Sequence, residues 1–183
     1  MYQKTSVAAL LVGLLVASSF VGAAAFTNAS VDRSASIDVV NDEDGIIGLA
    51  PGSTSVVTMN SGELTIDAAV GDAKGINTEA TMEIGDSANP STTYAFNVTN
   101  NAGKQKSFEM GYAVSGTDSD ASDDVTFTVY KSDGSQVTTI SEESGTKSFT
   151  IDSGATYYVV VSLDTTGNPT GDDLSGTLTI TAS

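Results

Sequence analysis

Hydrophobic and polar residues alternate through much of the chain with the two-residue period of strands that bury one face. In one run, Tyr94, Phe96 and Val98 alternate with polar or small neighbours. Similar alternation marks residues 36–39, 64–68, 108–114, 125–130, 157–163 and 177–181. Thr, Val and Tyr are frequent in these runs and favour pleated, half-buried surfaces. The pattern predicts an all-β chain with about nine strands.

Turn sequences separate these runs at short intervals. Asn101–Lys104 and Ser132–Ser135 combine Gly with polar residues and predict hairpin loops. Ala50–Gly52 predicts a tight turn, because Pro fixes φ and Gly supplies a positive φ. Residues 41–62 and 70–91 have the least regular pattern. Short strands joined by turns predict an antiparallel β-sandwich with one solvated face on each sheet.

The start of the chain has the three parts of a secretory signal. Lys4 gives a short positive region, Val7–Val21 is an apolar run, and Ala23–Ala25 fits a small-residue cleavage site before Phe26. We therefore predict that residues 1–25 are a cleaved signal peptide. The alternative is a retained membrane helix, since about 20 apolar residues are enough to span a bilayer.

Cleavage after Ala25 leaves about 158 residues, which suits one domain. Residues 26–40 form an extended N-terminal strand in this prediction, and residues 41–183 form the β-sandwich domain. No membrane span remains after cleavage. The expected location is outside the cell, either secreted or at the cell surface.

The charge balance limits the partners of this protein. The chain has 7 Lys and Arg against 23 Asp and Glu, a formal net charge of −16. Such a surface repels nucleic acid and anionic membranes. Its self-repulsion is screened at high salt, and the composition is typical of a protein exported by a halophile. Disorder is the alternative for so acidic a chain, but the periodic apolar runs argue against it.

The chain contains no Cys and no His. A Cys–His pair or a Ser–His–Asp triad cannot be built without them, and neither can the usual Cys and His metal sites. Paired carboxylates for glycoside hydrolysis stay open only because acidic residues occur throughout the chain. We therefore expect that this protein is not an enzyme and needs no cofactor, with Ca²⁺ the one candidate ligand.

An acidic run at residues 118–124 could supply hard oxygen ligands to Ca²⁺. Four of its carboxylates are candidate ligands: Asp118, Asp120, Asp123 and Asp124. The run resembles the start of an EF-hand loop, but Asp123 stands where that loop has Gly, and Val129 stands where it has Glu. Further acids lie at Asp164 and residues 172–173. A solvated acidic surface is the alternative interpretation of both segments.

Two sequons are candidate N-glycosylation sites, at Asn28 and Asn97. The alternation around Asn97 predicts that its side chain reaches solvent.

The segment that follows the signal, residues 26–40, is extended in pattern, free of Gly and rich in small residues. Such a strand can pair within its own sheet, or it can add to the open edge of another subunit. Spacing alone leaves both alternatives open.

Two parts of the chain resemble a group of secreted haloarchaeal proteins of unknown function. The first is the junction Ala23–Thr27 with residues 32–39 and 42–49, and the second comprises Ser153–Asp164 and Gly176–Ala182, similar to a closing hairpin of that group. Those proteins in turn resemble camelysin/TasA-type biofilm-fibre proteins and archaeal bundling pilins.

The resemblance implies a jelly-roll-like β-sandwich that polymerises outside the cell by donor-strand exchange. The segment freed by cleavage would enter the next subunit, and it carries these candidate donor residues: Phe26, Val31, Ala35, Ile37 and Val39. The expected partner is another copy of the chain, with other matrix or surface components in addition. The alternative function is a monomeric cell-surface domain that binds Ca²⁺ or a polysaccharide.

Overall fold

The computed structural model describes residues 42–67, 76–77, 79–116, 123–168 and 173–183. The predicted signal segment and the predicted N-terminal strand at residues 26–40 lie outside these ranges. A short 3₁₀ turn at Asp42–Asp44 precedes the first strand. The described strands are β1 (Ile47–Pro51), β2 (Val57–Asn60), β3 (Glu63–Ile66), β4 (Thr81–Ile84), β5 (Phe96–Asn100), β6 (Lys106–Val114), β7 (Val125–Tyr130), β8 (Gln136–Ser141), β9 (Lys147–Ile151), β10 (Thr156–Asp164) and β11 (Gly176–Ala182).

The strands form two main sheets in which every pairing is antiparallel. The large sheet has the order β1-β5-β10-β7-β8, and β4 pairs with the end of β10 beyond β5. The small sheet has the order β11-β6-β9, while β2 and β3 form a separate hairpin. The described part of the chain is therefore all-β, as the alternation predicts. None of its helical segments is long and apolar enough to cross a membrane.

The alternating residues of the two sheets bury a common core. Phe96 of β5 lies opposite Val159 of β10, and Val159 lies opposite Val129 of β7, so one face of the large sheet is continuously apolar. Phe108 and Met110 of β6 are fully buried on the facing sheet. Aromatic rings join the two sheets: the centroids of Tyr112 and Phe127 are 5.2 Å apart, and those of Phe149 and Tyr157 are 6.2 Å apart. These contacts give the protein a sandwich-like architecture.

The outer face of the large sheet is less solvated than the alternation suggests. β4 and β5 lie end to end along β10, and the chain between them forms an excursion closed by a bridge between Gly85 and Tyr94. The ring of Tyr94 packs 4.9 Å from that of Tyr158, centroid to centroid. Val160, which also points outwards, is only 1% exposed. The prediction of a solvated face is wrong at this place because the excursion covers it.

The two least regular sequence stretches also contain strands. β1 and β2 lie in the first stretch and β4 lies in the second, so the described residues hold eleven strands rather than about nine. Pro51 ends β1 instead of starting a separate turn, which is tolerated because β1 is an edge strand. Each of these strands has only four or five residues and lies in sequence without a longer alternating run.

The segment Asn101–Lys104 is not the hairpin loop that its turn residues predict. It connects β5 of the large sheet to β6 of the small sheet, and these strands do not pair with each other. The supposed closing hairpin is likewise divided, because β10 and β11 belong to different sheets. The prediction at Ser132–Ser135 is confirmed, since β7 pairs with β8 around it and Gly134 has a φ of 82°. Turn residues indicate a reversal of the chain, but not the sheet in which the next strand lies.

The side chain of Asn100 links the two sheets at the crossover, where the chain passes from β5 of the large sheet to β6 of the small sheet. This side chain is fully buried. Its Nδ2 donates to the carbonyl of Ile151 in β9 at 2.8 Å and to that of Lys104 at 3.0 Å. Its Oδ1 accepts the N–H of Ala102 at 3.0 Å. The amide thereby satisfies three main-chain groups, of which the carbonyl of Ile151 is buried.

We expect Asn100→Ala to lower the free energy of unfolding by about 2–3 kcal/mol, because it removes three hydrogen bonds and leaves the buried carbonyl of Ile151 without this donor. Chemical denaturation at constant high salt measures the change. Asn101→Ala is the matched control, since Asn101 is exposed and donates a single side-chain bond to Gly45. Equal losses in the two variants would contradict this role of Asn100.

Candidate functional site

The sandwich is closed on one side and open on the other. On the closed side, β8 of the large sheet and β9 of the small sheet are consecutive along the chain and contact each other. On the opposite side the edge strands are β1 and β11. Among the described residues, β11 pairs only with β6, so its second edge has no strand partner there. An unpaired edge presents a row of main-chain donors and acceptors.

A groove of about 900 Å³ lies on this open side. Its walls come from both sheets and from the β2–β3 hairpin, and most of its side chains are apolar. The main apolar lining residues are Leu49, Leu64, Ile66, Ile76, Phe127, Val161, Leu163, Leu174, Leu178 and Ile180. We call this feature the edge groove. It exposes apolar surface beside an unpaired strand edge, a combination that matches an added strand better than a small polar ligand.

The rim of the edge groove near β11 is polar and well ordered. The hydroxyl of Tyr112 donates to the carbonyl of Leu174 at 2.6 Å. The carboxylate of Asp173 accepts the N–H of Ser175 at 3.0 Å. Hydrogen bonds from the side chain of Ser175 and then from this N–H lower the pKa of Asp173. The carbonyl of Ser175 accepts the N–H of Ser115 at 2.8 Å. These bonds hold the start of β11 against the end of β6.

The chain enters the described fold beside the same groove. Asp42, which lines the groove, donates its N–H to the carbonyl of Gly62 at 3.0 Å. Its Oδ2 accepts the N–H of Leu64 at 3.0 Å. In the sequence, only residue 41 separates residues 26–40 from Asp42, which lines the groove. Fifteen extended residues reach roughly 50 Å, about twice the length of a seven-residue strand such as β11.

The predicted acidic site is found only in part. Asp118 and Asp120 lie outside the described residues. So do the predicted donor residues Phe26, Val31, Ala35, Ile37 and Val39. Asp123 is exposed, whereas Asp124 is only 2% exposed and its Oδ2 accepts a bond from Nδ2 of Asn168 at 2.6 Å. Within the described ranges, no three His, Cys, Asp or Glu side chains converge as metal ligands.

The two sequons have different outcomes. Asn28 lies outside the described residues. Asn97 is on the outer face of β5 but is half-buried, opposite Tyr158, and its Nδ2 is 3.5 Å from the hydroxyl of Tyr94. Its side chain is therefore less accessible than the alternation suggests, because the excursion between β4 and β5 covers part of this face.

The sequence pattern does not reveal two features of the structure, the edge groove and the buried amide of Asn168. Alternation at Leu178 and Ile180 predicts a buried face, but it does not reveal that β11 has a single neighbouring strand, β6, among the described residues. The short β3 run at Leu64 and Ile66 likewise does not show which surface it faces. Asn168 lies in a turn sequence and carries no signal that its amide is buried.

A comparison with protein-family models and with curated proteins finds no match to this chain.

Tyr112 provides a titratable reporter of the groove. Burial, followed by the nearby charges of Glu142 and Asp173, raises the pKa of Tyr112 to about 12. The folded protein thus binds this proton more tightly than the unfolded chain, whose Tyr pKa is about 10. The resulting stabilisation is fully present below pH 10 and is lost as the pH rises towards 12.

We expect the stability advantage of the native protein over Tyr112→Phe to shrink between pH 10 and pH 12. Unfolding curves of both proteins across this range test the expectation. Tyrosinate absorbance should also lose its component near pH 12 in the variant. Parallel stability profiles, or an unchanged absorbance titration, would show that Tyr112 is not held in this environment.

Proposed function

We propose that this protein is an extracellular structural subunit of a filament, either a pilus or a biofilm matrix fibre. Its jelly-roll-like sandwich domain would accept the N-terminal strand of a neighbouring subunit in the edge groove. The observation that carries the proposal is the apolar groove beside the unpaired edge of β11. The signal-like start of the chain and the resemblance to fibre-forming proteins support an extracellular location.

A strand added along β11 would pair with its main chain and would also cover the apolar surface of the groove. Its main chain pairs with the free donors and acceptors of β11, and alternate side chains enter the apolar groove. In an extended strand, Val31, Ala35, Ile37 and Val39 lie on one face because all have odd numbers. These side chains are apolar, as are Leu178 and Ile180 on the groove wall.

Insertion into a neighbour gives a polymer, whereas insertion into the subunit's own groove gives a closed monomer. The donor segment and the acceptor groove are different surfaces, so the contact is head-to-tail and can repeat without closing. Each subunit also carries a strongly negative charge. High salt screens this repulsion, so we expect assembly to be favoured by salt.

Deletion of residues 26–36 from the mature protein should leave a folded monomer that does not form filaments. The deletion removes most of the donor strand and none of the described sandwich. Electron microscopy at high salt, with circular dichroism as the folding check, tests this. Normal filaments from the deletion variant would rule out the proposed assembly.

Leu178→Lys should also prevent filament formation, because it places a charge inside the apolar groove. Thr179→Lys is the matched control, since Thr179 is exposed on the opposite face of the same strand. The control should assemble normally. Mixing Leu178→Lys with the deletion variant restores one donor and one acceptor, so sedimentation should show 1:1 pairs rather than filaments. Absence of these pairs, with both variants folded, would contradict strand exchange.

A further inference from the structure

The structure brings two acidic segments together at one end of the large sheet. β7 begins there at Val125, and β10 ends there at Asp164. The N–H of Asp164 donates to the carbonyl of Asp124 at 2.8 Å. The amide of Asn168 then reaches back to the carboxylate of Asp124 at 2.6 Å. Residues that are 44 positions apart in sequence therefore share one corner of the fold.

This corner contains a buried carbonyl oxygen without a hydrogen-bond partner. Asn168 is only 6% exposed, and its Oδ1 is one of two buried side-chain polar atoms in the described residues that lack such a bond. The same amide contacts Asp124 through Nδ2, so Oδ1 lies close to that carboxylate. Buried polar atoms are rarely left unsatisfied, and a bound ion is one partner that can satisfy them.

A second carboxylate stands beside Asp124. Both oxygens of Glu142 accept the N–H of Val125, at 2.9 and 3.0 Å, which fixes the carboxylate at the start of β7. The same carboxylate accepts the N–H of Asp124, so two acidic side chains meet at the start of β7. A bound cation would offset the charge of these carboxylates and would also give Asn168 Oδ1 a partner.

We propose that this corner is a divalent cation site with the Asp124 carboxylate and Asn168 Oδ1 as ligands, and that it prefers Ca²⁺ to Mg²⁺. Ca²⁺ accepts six to eight oxygens in irregular geometry, including amide and main-chain carbonyls and water. Mg²⁺ requires near-octahedral geometry and dehydrates reluctantly. Because two side chains supply ligands, water and main-chain carbonyls complete the shell. The bound ion ties the start of β7 to the end of β10.

Calorimetric titration of the mature protein with CaCl₂, after chelator treatment and at constant high NaCl, tests the site. We expect one saturable site, with binding at least tenfold weaker in Asp124→Asn. Asp133→Asn is the control, because Asp133 is an exposed acid in the β7–β8 turn, and it should bind like the native protein. No saturable site, or equal binding in all three proteins, would overturn the proposal. MgCl₂ binding as tightly as CaCl₂ would overturn the stated preference.

Asn168→Asp provides a second test that does not depend on the folding of Asp124→Asn. This substitution keeps the volume of the side chain and adds a carboxylate next to Asp124. Without Ca²⁺, the variant should melt at a lower temperature than the native protein. CaCl₂ should raise its melting temperature by more than that of the native protein at equal ionic strength. A Ca²⁺-independent loss of stability would show that Asn168 serves only as a hydrogen-bond donor.

Discussion

Strand β11 pairs with β6 along one edge and, within the described residues, has no strand along the other. The apolar side chains of β1, β3 and β10 face the space beside it and form one wall of the edge groove with Leu178 and Ile180. A sheet edge of this kind invites pairing with another strand unless it is covered. The unpaired edge of β11 is therefore the constraint from which the proposed assembly follows.

The edge groove can stay open without loss of the fold because other contacts hold the two sheets together, including those on the opposite side of the sandwich. There β8 and β9 are consecutive along the chain and contact each other. At the crossover from β5 to β6, Asn100 joins the large sheet to the carbonyl of Ile151. The largest buried side chains, including Phe96, Phe108 and Phe127, fill the interior between these sheets. The fold is thus stabilised by its core and its closed side, while the edge groove lies on its open side. The cation site at Asp124 would strengthen the end of the large sheet in the same way.

Alternation correctly predicts β5, β6, β7 and β10, in which apolar residues recur at every second position. It misses β1, β2, β4 and β9, which have only four or five residues, and it also marks no run at β8, which has six. It also cannot assign strands to sheets, which is why Asn101–Lys104 is wrongly expected to form a hairpin. The edge groove is invisible in the sequence for a related reason: the pattern at Leu178 marks a buried face but not the number of neighbouring strands.

Hydrogen exchange of the β11 amides tests the central claim most directly. It should be measured on mature protein before and after assembly at high salt. The account predicts that β11 amides directed away from β6 exchange fast in the monomer and become strongly protected in the filament. The amides on the outer edge of β9, on the closed side, should not change. Filaments in which β11 exchanges as in the monomer, or in which β9 is protected instead, would contradict the account.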